Sequence, residues 1–159
     1  MHGLTPEDLY ALSEAELFRT VGRLGVERIA ALAKVVSVPR DQVLTRRGDR
    51  AEAVYGVSEG VLHAEIPSPD GRHIEPISAP DVCGWPGLIY PYRHLVTVSA
   101  VTDCRVIEIP VPALRSLLDG DAGMRGLVSH QLSVLAIRRI DGLMALLEGQ
   151  RPFGSVSGR

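Results

Sequence analysis

From Val36 onward the chain breaks into short β-type runs at near-regular spacing, a pattern few folds accommodate. The runs are Val36 to Val38, Gln42 to Thr45, Val54 to Val57, Val61 to Ile66, Ile74 to Ile77, Val96 to Val101 and Arg105 to Ile109. Turn signals separate them: Pro39-Arg40-Asp41, Arg47-Gly48-Asp49, Ser58-Glu59-Gly60, Ser68-Pro69-Asp70-Gly71 and Thr102-Asp103. Short strands punctuated in this way predict an antiparallel sandwich or jelly-roll barrel. Only 4% of residues are aromatic, so aliphatic side chains must fill it.

Both flanks read as helical. Thr5 is placed to cap a helix that starts at Pro6, with Glu7 and Asp8 in its first turn. Ser13 and Glu16 have the spacing of a second capping box. Val26 to Val35 carries apolar residues on one helical face. Beyond the strands, Pro112 restarts a helix that Asp119-Gly120-Asp121 ends, and Asp121 caps a last helix from about Ala122 to Leu147. That helix has two apolar stripes. Ile137, Ile140, Met144 and Leu147 repeat at three and four residues, as in a coiled-coil seam, while Val128, Leu132, Leu135, Leu143 and Leu146 form another face. One stripe can bury against the barrel; a second copy of the helix is the simplest cover for the other. Arg138, Arg139 and Asp141 interrupt the pattern and are expected in solvent or in interchain salt bridges.

The expected organisation is therefore an N-terminal helical segment over 1–35, a jelly roll over 36–111, C-terminal dimerisation helices over 112–148, and a poorly ordered tail over 149–159. A length of 159 residues suits one compact domain with a real core. A net charge of -2 gives no general attraction to nucleic acid or anionic membrane. No apolar run approaches the roughly 20 residues needed to span a bilayer, and the first residues do not resemble a signal peptide. A cytoplasmic location is expected. Cys83 and Cys104 form neither a disulfide framework nor a metal knuckle, and each reads as a buried, reduced thiol.

The stretch from Asp81 to Val98 carries the functional question. A strand, the turn at Gly84, a short apolar helix, a basic residue and another strand are the layout of an anion cradle. Together with Val38-Pro39-Arg40-Asp41-Gln42-Val43-Leu44, Arg47-Gly48-Asp49, Val54-Tyr55-Gly56-Val57-Ser58-Glu59-Gly60, Asp70-Gly71-Arg72 and Cys83-Gly84, this order resembles the cyclic nucleotide-binding domain family. The resemblance covers about Leu17 to Leu147. It implies a mainly β fold with flanking helices, an antiparallel jelly roll (double-stranded β-helix) preceded by helices and closed by a long C-terminal helix. It also implies coupling between an occupied cassette and a hinge near Pro112 to Asp121.

The family's cassette begins Gly-Glu, continues through a short apolar helix and ends in Arg before a strand. Its Glu holds the ribose 2′-hydroxyl and its Arg pairs with the cyclic phosphate. Here Gly84 matches the glycine, Leu88 and Ile89 the apolar helix, and Thr97-Val98 the strand start. Trp85 replaces the Glu and His94 the Arg. An indole donates one hydrogen bond and has no strong acceptor, Pro86 has no N–H, and a neutral imidazole brings no full charge. Arg93 stands one residue away, where an extended segment turns its side chain to the other face. Losing both anchors, at roughly 1.5–3 kcal/mol per charge-assisted hydrogen bond, moves micromolar cyclic-nucleotide affinity toward millimolar. Trp85 then either stacks on a flat ligand or fills the vacated space.

The ligand-pocket candidates are Gly84, Trp85, Pro86, Gly87, Leu88, Arg93, His94, Leu95 and Thr97; the dimer candidates are Ile137, Ile140, Met144 and Leu147. No cofactor, metal or catalytic residue is implied. The resulting expectation is a noncatalytic regulatory module in signal transduction. It is a homodimer acting on a protein partner or through an unidentified ligand, without direct contact to nucleic acid or membrane. After the long helix there is no room for a helix-turn-helix domain. Two alternatives stand beside it. One is a protein that does bind cyclic AMP or cyclic GMP, using Arg93 or His94. The other is a cupin-like metalloenzyme built on His63, Glu65, His73 and Glu75.

Overall fold

A computed structural model describes residues 3–149. The tail expected over 149–159 lies, beyond Gly149, outside the described residues. Thirteen short elements run in the expected order. Helices α1 (Pro6–Glu14) and α2 (Gly22–Ala30) precede strands β1 (Lys34–Val38), β2 (Val43–Thr45), β3 (Ala53–Glu59), β4 (Val61–Ser68), β5 (Gly71–Ser78) and β6 (Val82–Cys83). A 3-10 turn (Trp85–Leu88) leads to β7 (Thr97–Ala100) and β8 (Cys104–Pro110), and helices α3 (Val111–Asp119) and α4 (Ala122–Leu147) close the chain.

The strands form two four-stranded antiparallel sheets, β1-β8-β3-β6 and β2-β7-β4-β5, which face each other as a jelly roll. Their inner faces bury Val38, Val57, Leu62, Ala64, Val98 and Val106. The first sheet is buried on both sides. Ile107 and Ile109 of β8 and Val54 of β3 turn outward to a second core with Leu12, Phe18, Ile29, Leu114, Val128 and Leu132 from the helical layer. Strand alternation accounts for this, since Val106 and Ile107 must point to opposite faces. Residues opposed in β4 and β5 share a face. His73 and Glu75 therefore lie with Ile66 and Ala64, inward, while His63 and Glu65 lie on the outer side. The four metal-ligand candidates are split between two faces. Glu65 and Glu75 are paired with Arg72 and Arg139, and no three metal-ligating side chains converge among the described residues.

Asp8 joins the helical layer to the roll. Its carboxylate completes the predicted cap of α1: it accepts from the Thr5 N–H at 2.8 Å, and the Asp8 N–H donates to the Thr5 hydroxyl at 3.2 Å. The same carboxylate accepts from Ser58 of β3 at 2.6 Å and from two nitrogens of Arg105 on β8, at 3.1 and 2.8 Å. Its side chain is fully buried. Burial raises its pKa, and the hydrogen bonds from Arg105, Ser58 and Thr5 outweigh that and hold the carboxyl well below the usual range.

Three local expectations are corrected. Ser13 does not start a second helix. Its hydroxyl donates to the Tyr10 carbonyl inside α1, and the chain turns after Glu14 to bury Ala15, Leu17 and Phe18. The second helix ends at Ala30 because Lys34 to Val38 are drawn into pairing with β8. Arg138 and Arg139, expected in solvent or interchain bridges, pair within the chain, with Glu16 and Glu75.

Asp8→Asn is expected to lower unfolding stability by about 2–3 kcal/mol at pH 7, because it leaves Arg105 without its anion. The folded-state pKa is depressed, so this stabilisation is complete above the unfolded carboxylate pKa of about 4 and fades as pH falls further. Urea unfolding of both proteins at pH 7 and pH 3 should show the gap narrowing at the lower pH.

Candidate functional site

A cavity of about 700 Å³ lies between the second sheet, the 81–86 turn and the C-terminal half of α4. Thr45, Ile66, Ile77, Val96 and Val98 of the roll form one wall, and Leu135, Leu143 and Leu146 of α4 form the opposite one. Its size falls within the ordinary range for small-molecule sites.

The turn into the 3-10 helix requires its glycines. Gly84 sits at φ +79°, and a Cβ there would lie 2.5 Å from the Ala53 carbonyl. Gly87 packs against Ala51 and Val111, where a Cβ would come within 2.8 Å of the Ala51 carbonyl. This backbone swings Trp85 into the helical-layer core, where it is buried among Val54, Ile107 and Leu114. One side of Trp85 still borders the cavity.

Of the sequence candidates, Gly84, Trp85, Pro86, His94 and Leu95 line the cavity. Gly87, Leu88, Arg93 and Thr97 do not, and the reasons are local. Leu88 packs on the helical-layer core. The Thr97 hydroxyl accepts from the Arg47 N–H at 3.1 Å. Arg93 forms a bridge with Arg50, and its guanidinium donates to the Gly48 carbonyl at 2.9 Å, on the outside of the roll. Its neighbour His94 is buried and faces in, as strand alternation requires. Burial lowers the His94 pKa, opposed in part by Asp49, so the imidazole is neutral at pH 7. Burial beside Asp81 pushes the Cys83 thiol up to about 12, which leaves it without thiolate reactivity. Cys104 is also buried, its Sγ within 3.4 Å of the Val61 carbonyl.

The cavity's cations come from the helix, not the cassette. Arg138 pairs with Glu16, and Arg139 pairs with Glu75 at 3.0 Å. All four residues line the cavity, so the pairs hold α4 across it at two points. Sequence reasoning missed this role because the partners are 122 and 64 residues apart. The one available signal was the break that the two arginines make in the apolar pattern of α4.

A jelly roll whose glycine turn and short helix border a cavity beneath a long terminal helix is the architecture of a cyclic nucleotide-binding-like domain. The family profile for the cyclic nucleotide-binding domain matches residues 35–121, more than half of the chain, and the chain belongs to that family. Solved structures agree on the fold. A Ruegeria pomeroyi protein assigned to cyclic nucleotide binding shares 20% identity at a TM-score of 0.69, over 88% of this chain and 63% of its own length. The N-terminal domain of a Streptomyces coelicolor transcriptional regulator shares 19% identity at 0.69, over 84% and 96%. The sensor domain of the Pseudomonas aeruginosa transcriptional regulator DNR shares 18% at 0.65, over 83% and 90%. This chain thus spans less than two thirds of the Ruegeria protein. No curated protein matches by sequence. No helix among the described residues is long and apolar enough to cross a membrane.

Two outcomes are expected at the turn and at His94. Gly84→Ala should cost about 2 kcal/mol or more in thermal or urea unfolding, through its positive φ and the contact with Ala53. The folded-state pKa of His94 is depressed, so the stability tied to it is complete above the unfolded value of about 6.5 and falls as pH drops below it. His94→Gln should flatten the stability profile between pH 7 and pH 5.

Proposed function

We propose that this chain is a noncatalytic regulatory sensor whose cavity takes a small, largely apolar, uncharged molecule in place of a cyclic nucleotide. One observation carries the reading: both arginines that line the cavity are already paired with glutamates, while Trp85 and His94 occupy the cassette's two anchoring positions. A phosphate entering this space meets no unpaired cation among the described lining residues, and the Asp81 carboxylate stands at the same wall. An uncharged flat molecule meets an indole face, a neutral imidazole and aliphatic walls. Occupancy acts on α4 insofar as the ligand prefers one position of the helix over another.

The output surface is a homodimer through α4. Val128 and Leu132 of that helix are buried on the helical layer, whereas Ile137, Ile140, Met144 and Leu147 are between 52% and 70% exposed. Four large apolar side chains at seam spacing, left in water by the chain's own fold, support a second copy of the helix as their cover.

Calorimetry with cyclic AMP and cyclic GMP should show no micromolar binding. Trp85 is the only tryptophan, and its emission should shift on titration with the neutral probe 2-naphthol and stay unchanged with cyclic AMP. Micromolar cyclic-nucleotide binding, or an indole indifferent to both probes, would defeat the reading. Sedimentation should give a dimer that Ile137→Asp with Ile140→Asp converts to monomer; a wild-type monomer would remove the α4 interface.

A further inference from the structure

Opposite the cavity, the backbone that carries His94 inward carries a basic surface outward. The loop after β2 and the segment before β7 are stitched together. The Gly48 N–H donates to the His94 carbonyl, the His94 N–H to the Asp49 carbonyl, and the Ala51 N–H to the Tyr92 carbonyl, at 2.8–2.9 Å. This layer presents Arg46, Arg47, Arg50 and Arg93, all exposed. None of the four has a carboxylate within ion-pairing distance among the described residues. With Asp49 as the only acid in 46–50 and 90–95, these segments sum to +3 in a chain whose net charge is -2. These two segments are thus locally basic in a chain that is slightly acidic as a whole.

The same layer exposes apolar surface. Tyr90 is 81% exposed. Tyr90 is not a loose side chain. Its ring meets Tyr92 edge-on with centroids 5.8 Å apart, and the Arg115 guanidinium lies 4.3 Å from the centre of the Tyr92 ring while donating to its hydroxyl. A propped tyrosine in water, on the same loop layer as four exposed arginines, has the composition of a binding hot spot.

We infer that this face, the exposed Arg46, Arg47, Arg50 and Arg93 with the exposed Tyr90 of the same loop layer, docks an acidic segment of a partner protein, one bearing an apolar side chain that packs on the tyrosine. Charge complementarity selects the acidic segment. The exposed tyrosine and the acidic remainder of the molecule favour a protein over a long nucleic acid, which the rest of the surface repels. The inference does not depend on what fills the cavity. It adds a docking face to a fold whose α4 stripe points elsewhere.

Fluorescence anisotropy with a short fluorescein-labelled peptide, rich in Asp and Glu around a central Leu-Phe pair, tests it on the intact chain. The expected result is saturable binding that weakens with added salt, drops about tenfold or more in Arg46→Glu with Arg47→Glu, and drops about tenfold in Tyr90→Ala. Arg50→Gln with Arg93→Gln, which removes charge without reversing it, should weaken binding in the same direction. Circular dichroism should show each variant folded, since the substituted side chains are exposed. Absence of peptide binding, or affinity unchanged by Tyr90→Ala, would overturn the docking face. Tighter binding of a single-stranded oligonucleotide of equal charge would overturn it in favour of nucleic acid.

Discussion

The Asp8 carboxylate gathers more of this structure than any other single group. It closes the first turn of α1, holds Ser58 of β3 and neutralises Arg105 of β8 from a fully buried position. Two central strands and the first helix are thereby fixed to one anion. The helical layer that buries Leu12, Phe18 and Ile29 on the outer face of the first sheet depends on that attachment. So does the placement of Trp85, which packs in the same layer. An acid that reads in sequence as a favourable first-turn residue is, in three dimensions, the joint between helices and roll.

The fold was largely legible because its signals are local. Period-two runs, glycine turns and the cap at Asp121 all act over a few residues, and α4 begins and ends where its pattern says. Ser13 shows where local reading stops. Its capping spacing is genuine, but the gain from burying Leu17 and Phe18 decides the path of the chain. The site was legible in half. Strand alternation put Arg93 outside and His94 inside, where the structure has them. The Arg138–Glu16 and Arg139–Glu75 pairs could not be read in this way, because each joins elements that only the finished fold brings together.

The inherited frame and its altered contents explain each other. The family's backbone device, a left-handed glycine leading into a short helix, persists at Gly84 because a Cβ cannot be placed there. Side chains carry the ligand chemistry, and they are freer to change. The indole of Trp85 gains burial from the helical layer, and the neutral imidazole of His94 tolerates burial beside the cavity. A cavity survives between them because the wall opposite is a helix, held by ion pairs and not pressed into the roll.

Those two pairs differ in exposure. The Arg138 side chain is 61% exposed and that of Arg139 only 20%. Mobile ions weaken the outer pair first and the inner pair much less. The helix wall of the cavity thus has one fastening that is more sensitive to ionic strength than the other. The seating of α4 over the cavity therefore carries the composition of the surrounding solvent as a second variable.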